Sequence, residues 1–165
     1  MAGTVYEVAP IPPDAEHTTY VDAGALRFGI EYRVLTDAEL ARNYEGEDME
    51  EIQAATGGQA VEDNGLSLHV VGAVDGHEYL RFDMFEEGPH YHYIEPSGEK
   101  QTIVEFDEVA MGEMLPWVLD LLRTRLVPML EYAGGAALAE SLDADGIERG
   151  LVEVEGLARR LMLQE

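Results

Sequence analysis

The chain has no cysteine among its 165 residues, which excludes disulfide bonds and thiolate metal ligands. It also has no apolar run near the roughly 20 residues that a membrane-spanning helix needs. The opening stretch MAGTVYEVAPIPPDAEH has neither a basic start nor a long apolar centre, so we do not expect a secretory signal. These absences favour a cytoplasmic protein without a membrane partner.

Basic residues are scarce. Ten Lys and Arg stand against 34 Asp and Glu, giving a net charge of −24, and Lys100 is the single lysine. An acidic surface repels the phosphates of nucleic acids and of anionic membranes, so neither is expected as a partner. The acidity itself has three explanations: a salt-adapted proteome, an acidic protein of an arginine-preferring bacterium, or a surface that faces a basic partner subunit.

Several catalytic signatures are also missing. The chain has no phosphate-binding glycine loop and no dinucleotide fingerprint, and none of its serines lies in a nucleophile elbow. The stretch DADGIE, residues 143–148, resembles the start of a calcium loop. It lacks the third acidic position and the closing glutamate of such a loop, so a helix cap is the favoured interpretation.

Hydrophobic residues make up 46% of the chain, enough for the core of one domain. Alternating residues predict a strand over 25–35, with an apolar buried face and with Arg27, Glu31 and Arg33 on the other face. Further strands are predicted at 66–74, 77–85, 90–95 and 100–106. Tight turns between them, such as Asp75-Gly76, favour an antiparallel meander.

The last third of the chain has helical periodicity instead. It predicts a helix that begins near Leu115 and kinks at Pro128, a short helix over 136–142, and a final helix opened by a capping box of Asp145 and Glu148. Residues 36–58 are weakly helical with a loop inside.

The predicted fold class is α+β. We expect an antiparallel sheet of about four to five strands with two or three C-terminal helices packed on one face. Prolines in APIPPD exclude helix and central strand there. Residues 1–24 are therefore predicted to be an extended Pro-rich arm, and residues 25–165 a single domain.

The stretch EEGPHYHYIEP, residues 86–96, is the best functional candidate. In a strand, His90 and His92 project from one face, with their bases roughly 6–7 Å apart, and can grip one divalent ion. Glu87 and Glu95 are the candidate carboxylate ligands. Such a site suits zinc, iron, manganese or nickel. The alternative is a polar sheet face on which both histidines are hydrogen-bonded to nearby acids.

Other residues of these strands have simpler interpretations. Tyr91 and Tyr93, on the opposite face, are expected to pack against the helix. Asp83 is interpreted as the partner of Arg81 in an ion pair on the sheet face. His69 and His77 lie on neighbouring strands and can approach each other or the His90 face, depending on strand register.

The segment YLRFDMFEEGPHYHYIEP and the Trp-containing helix LPWVLDLLRTRLVPMLEYAG together resemble a family of small uncharacterised bacterial proteins. In that family a strand with an Arg-Phe-Asp core runs into a Pro-His-Tyr-His-Tyr motif. The resemblance covers residues 66–142. It implies that the motif and the helix belong to one module, and it carries no catalytic residues onto this chain.

Two functions follow from these observations. The small size, the Pro-rich arm and the negative charge favour an accessory or structural subunit of a larger assembly, associated with a partner or with itself. The alternative is a metal-dependent enzyme that acts on a small molecule through His90 and His92. There the metal activates water or polarises a carbonyl, and Glu87 or Glu95 carries protons.

Overall fold

A computed structural model describes residues 3–164. The strands in this range form one antiparallel sheet of seven strands. The strands are β1 (Thr4–Tyr6), β2 (Thr19–Ala23), β3 (Leu26–Thr36), β4 (Glu62–Gly72), β5 (Glu78–Phe85), β6 (His90–Ile94) and β7 (Gln101–Glu105). Their order across the sheet is β1-β7-β6-β5-β4-β3-β2. The predicted meander corresponds to β3–β7.

The helices are α1 (Asp37–Asn43), α2 (Gly46–Ala55), α3 (Glu108–Met111), α4 (Met114–Thr124), α5 (Leu126–Tyr132), α6 (Ala136–Ala139) and α7 (Ala144–Leu163). The predicted α+β class is thus confirmed. In the part of the chain that the structure describes, no helix combines the length and apolar composition that crossing a membrane requires.

The sheet is larger than the four to five strands predicted, because both of its edges come from the Pro-rich segment. β1 pairs with β7 and β2 pairs with β3, while the proline stretch between β1 and β2 is irregular. The first two residues of the predicted arm and the last residue of the predicted domain lie outside the described range.

One face of the sheet packs against C-terminal helices, as predicted, although the described residues form five helices after β7 rather than two or three. Apolar side chains of the central strands, among them Phe28, Leu68 and Phe82, are fully buried in a cluster with α4, α5 and α7. Tyr91 also packs on this side, with its ring centroid 5.5 Å from that of Trp117. Tyr93 lies 4.6 Å from Tyr132 by the same measure, so the packing predicted for both tyrosines is confirmed.

Two helix boundaries differ from the prediction. The break predicted near Pro128 falls at Arg125, so that the proline occupies the first turn of α5. Backbone N–H groups in a first turn have no partner within the helix, so the N–H that proline lacks costs no helical hydrogen bond there. The cap of α7 is Asp143 rather than Asp145. The Asp143 carboxylate accepts a hydrogen bond from the Gly146 N–H at 3.1 Å.

The opposite face of the sheet is covered too, which the sequence did not predict. A second apolar cluster is centred on Val8, Ile11, Leu40 and Tyr44, and it joins the Pro-rich segment to α1. The Tyr44 hydroxyl donates to the Ala9 carbonyl at 2.6 Å. Helices therefore lie on both faces, and the polar side chains beneath this cluster are removed from water.

Candidate metal centre and adjoining cavity

The face of the sheet beneath this second cluster carries a row of buried polar side chains. The row consists of Glu31, Ser67, His69, Arg81, Asp83, His92 and Gln101. Strand register aligns its members across the sheet: Glu31 lies opposite Ser67, Ser67 opposite Asp83, and Asp83 opposite His90. Buried charges are costly unless they are paired, so the partners of each group in this row decide what it can do.

Asp83, His90 and His92 converge at the β5–β6 hairpin. Asp83 Oδ2 lies 2.8 Å from His92 Nε2 and 3.1 Å from His90 Nε2. One ligand atom from each of the three residues lies within 4.8 Å of the others, an arrangement that can hold a metal ion. Asp83 and His92 are buried, and His90 is largely so.

The other ring nitrogen of each histidine has a fixed role as a hydrogen-bond donor. His90 Nδ1 lies 2.7 Å from the Gly88 carbonyl oxygen, which can only accept. His92 Nδ1 lies 2.7 Å from Gln101 Oε1. The Gln101 amide cannot be turned around, because its Nε2 donates to the Val8 carbonyl at 3.1 Å. Both Nδ1 atoms therefore carry a hydrogen.

A neutral imidazole has one N–H, so both Nε2 atoms then direct a lone pair at the same carboxylate oxygen. That contact is repulsive unless each ring gains a second proton or a cation lies between the three groups. Burial lowers the pKa of His92 below its usual value, and the charges of His90 and Arg81 act in the same direction, against Asp83. A second proton on His92 is thus disfavoured, whereas a metal ion satisfies both lone pairs.

The carboxylate is held ready to act as a ligand. Ser67 Oγ donates to Asp83 Oδ1 at 2.5 Å. Although burial acts to raise it, the pKa of Asp83 is well below its usual value, because His90 and His92 in their protonated forms donate hydrogen bonds to its carboxylate and attract it electrostatically. For His90, burial lowers the pKa, but the charge of Asp83 and the hydrogen bond that a protonated His90 donates to it outweigh burial and leave the pKa raised. Partners that orient ligands in this way are typical of metal sites.

The structure brings together His90 and His92, as predicted, but not the two glutamates. Glu87 is exposed, and its backbone N–H donates to Asp63. Glu95 lies beyond the end of β6, where its carboxylate is 3.9 Å from Lys100. The carboxylate of the cluster is instead Asp83, which the sequence interpretation paired with Arg81. The nearest sequence signal is the short loop with Gly88 and Pro89, which joins β5 to β6 as a hairpin and so brings Asp83 opposite His90.

Neither His69, on β4, nor His77, in the turn just before β5, joins this cluster. His77 Nε2 contacts the Ile94 carbonyl at 3.1 Å. His69 is fully buried between two carboxylates, with Nε2 2.6 Å from Glu31 and Nδ1 in contact with Glu78. Since both of its nitrogens face acceptors, His69 is an imidazolium that bridges the pair. Arg81 completes this network through two hydrogen bonds to Glu78, at 2.9 and 2.6 Å.

This network makes the stability of the protein depend on pH. Burial lowers the pKa of His69, but the hydrogen bonds to Glu31 and Glu78 leave it raised. A raised folded-state pKa adds stability that is complete below about 6.5, the unfolded value, and is lost as pH rises through the folded value. We expect the gap in free energy of unfolding between wild type and His69→Gln to shrink as pH rises above 6.5, by urea denaturation at successive pH values. A gap that is constant with pH would contradict the bridging role.

A cavity of about 180 Å³ adjoins the three converging residues. Asp83, His90, His92 and Gln101 line it on the sheet side, together with Arg33 and Arg81. The remaining wall is mainly apolar and comes from the Pro-rich segment, α1, α2 and neighbouring strands. Its volume equals that of about six waters in the liquid, so a small molecule fits beside the candidate ligands.

A comparison with known protein families matches most of the chain, including the region of this site. A family model described as a domain of unknown function, DUF7700, matches residues 20–158. The chain belongs to the DUF7700 family. No curated protein and no solved structure matches it significantly. The DUF7700 match includes the whole of the converging cluster, and it begins after the Pro-rich stretch that covers the cavity.

Proposed function

We propose that this DUF7700 protein binds one divalent transition-metal ion through Asp83 and the Nε2 atoms of His90 and His92. With that ion it acts as a metal-dependent enzyme on a small molecule in the adjoining cavity. One observation carries the proposal. Both imidazoles are fixed as donors at Nδ1, so their two lone pairs converge on one carboxylate oxygen, where a cation is the natural partner.

The donor set and its surroundings support this function. Two imidazoles and one carboxylate suit zinc, iron(II) or manganese and leave coordination positions free for water or substrate. A metal in such a site activates water or polarises a carbonyl. The cavity beside the ligands has a mainly apolar wall, which limits competing water and strengthens electrostatic interactions.

The accessory-subunit function stays a prediction. That prediction rested in part on the Pro-rich arm. In the structure this arm packs within the chain, through β1 and through Val8 and Ile11. A partner is therefore not needed to order this segment. The mass of the native complex, measured after purification from its host, decides whether the protein associates with another chain or with itself.

The proposed function predicts one metal ion per chain. Chelator-treated wild type, titrated calorimetrically with zinc, manganese and iron(II), is expected to bind one equivalent of at least one of them. The double variant His90→Ala, His92→Ala is expected to bind none, and the control His77→Ala, which changes a histidine outside the cluster, is expected to bind as wild type does. Affinity for the metal is expected to weaken as the pH is lowered, because protons then compete with the metal for Nε2. Equal, weak binding by wild type and double variant would overturn the proposal.

A further inference from the structure

Arg33 is a buried cation whose hydrogen-bonding capacity is largely unused. Its side chain is 9% exposed, and Nη1 is buried with no hydrogen-bond partner among the described residues. Nη2 makes one long bond, 3.4 Å to the Pro12 carbonyl. The nearest carboxylate, Glu31, is 3.7 Å away, and the Glu31 oxygen concerned already bonds His69 at 2.6 Å.

Arg81, which lines the same cavity, is by contrast a buried arginine with its own partner. It is bonded twice to one carboxylate, that of Glu78. A guanidinium has five N–H donors in a planar fork that fits a carboxylate, and leaving buried donors unpaired is costly. Arg33 lines the same cavity as Asp83, His90 and His92, so an anion that enters this cavity supplies the partner that the chain itself does not.

Charge balance among the ionisable side chains at the cavity and in the adjoining His69 network leads to the same conclusion. The three cationic side chains Arg33, Arg81 and His69 are equal in number to the carboxylates Glu31, Glu78 and Asp83 that act on them. With these in balance, the charge of a divalent ion on neutral His90 and His92 is left uncompensated. An anionic ligand offsets part of it. This second argument rests on the proposed function, whereas the argument from Arg33 does not.

We infer that the cavity takes a small carboxylate with an apolar body, whose carboxylate binds Arg33 and whose other end lies toward the metal. The fork of Arg33 matches the two carboxylate oxygens. The mainly apolar wall suits a hydrocarbon body, and the volume of about 180 Å³ accommodates a short chain or a single ring. The substrate class of the proposed enzyme is therefore small monocarboxylic acids.

The test uses pairs of probes that differ in charge and hardly in shape: benzoate with benzamide, and hexanoate with hexanamide. Binding to zinc-loaded and to chelator-treated protein is measured by calorimetry. For wild type we expect at least one carboxylate to bind about tenfold tighter than its amide or better, since a charge-assisted bidentate bond contributes that much. The preference is expected to persist in the chelator-treated protein.

Arg33→Gln is expected to lose this preference, and Arg33→Lys, which keeps the charge without the fork, to retain part of it. The control is Arg27→Gln, on the same strand, where the arginine is partly exposed and stacks on Tyr20 outside the cavity. It is expected to behave as wild type does. A melting curve for each variant verifies that it is folded.

Three results would overturn the inference: no preference in wild type, no binding of any probe up to about 10 mM, or a preference that survives Arg33→Gln and disappears on chelation, which places the carboxylate on the metal. Failure of the proposed function gives a different pattern. Wild type then binds no metal in the titration, yet an Arg33-dependent carboxylate preference still supports an anion site.

Discussion

Asp83→Asn is expected to weaken binding of the divalent ion by about 100-fold or more. Loss of residues that merely orient a ligand typically costs 10–100-fold in metal affinity, and this change removes the negative charge of a ligand itself. The fold is expected to survive. The new amide is nearly isosteric, and its N–H can donate to a lone pair of His90 or His92, which lie 3.1 and 2.8 Å from the present carboxylate oxygen.

Competition with a chelating dye measures the affinity, and thermal melting of the metal-free protein measures the stability. Asp22→Asn is the matched control, because it makes the same charge change at an exposed side chain of β2. If Asp83→Asn binds the metal within a few-fold of wild type, Asp83 is not a ligand, and the three residues form a hydrogen-bonded group only.

Arg81→Met is expected to destabilise the protein by about 3–5 kcal/mol, the usual cost of removing one partner of a buried ion pair. Arg81 is 3% exposed and makes both of its hydrogen bonds to Glu78. The positive charge of Arg81 is the main influence that, against burial, lowers the pKa of Glu78 to about 2. Without Arg81 the Glu78 carboxylate stays largely buried, and His69 alone cannot compensate for its charge because His69 is also paired with Glu31.

Arg123→Met provides the comparison for this prediction. Arg123 forms a similar two-bonded pair with Glu148, at 2.8 and 3.2 Å, but on the surface, where exposed ion pairs contribute little. The midpoint of urea denaturation is expected to fall far more for Arg81→Met than for Arg123→Met. Equal shifts would show that the buried network does not stabilise the fold.

The strands and the histidine pair could be predicted because their signals are local. Alternation over 25–35 and 77–85 identified β3 and β5, and the spacing of His90 and His92 placed both on one face. Asp83 could not be assigned in the same way. Its position opposite His90 depends on the register of a hairpin, and a shift of one residue reverses the face of every side chain.

Burial of the polar sheet face could not be predicted from local sequence patterns, for a different reason. Glu31 and Arg33 alternate with apolar residues, as residues on a water-facing side do, yet Glu31 is 1% exposed. They are covered by segments far away in the chain, the Pro-rich stretch and α1 with α2. The edge strand β1 has three residues, too few to show periodicity. What converts a polar sheet face into a candidate site is therefore tertiary packing.

A crystal of the protein grown with zinc, with anomalous diffraction recorded on both sides of the zinc absorption edge, tests the central claim most directly. The account predicts one strong anomalous peak among Asp83, His90 and His92, about 2.0–2.2 Å from a carboxylate oxygen and from both Nε2 atoms. The Nδ1 atoms should still contact Gly88 and Gln101. No peak there, with the three side chains bonded directly to one another, would contradict it.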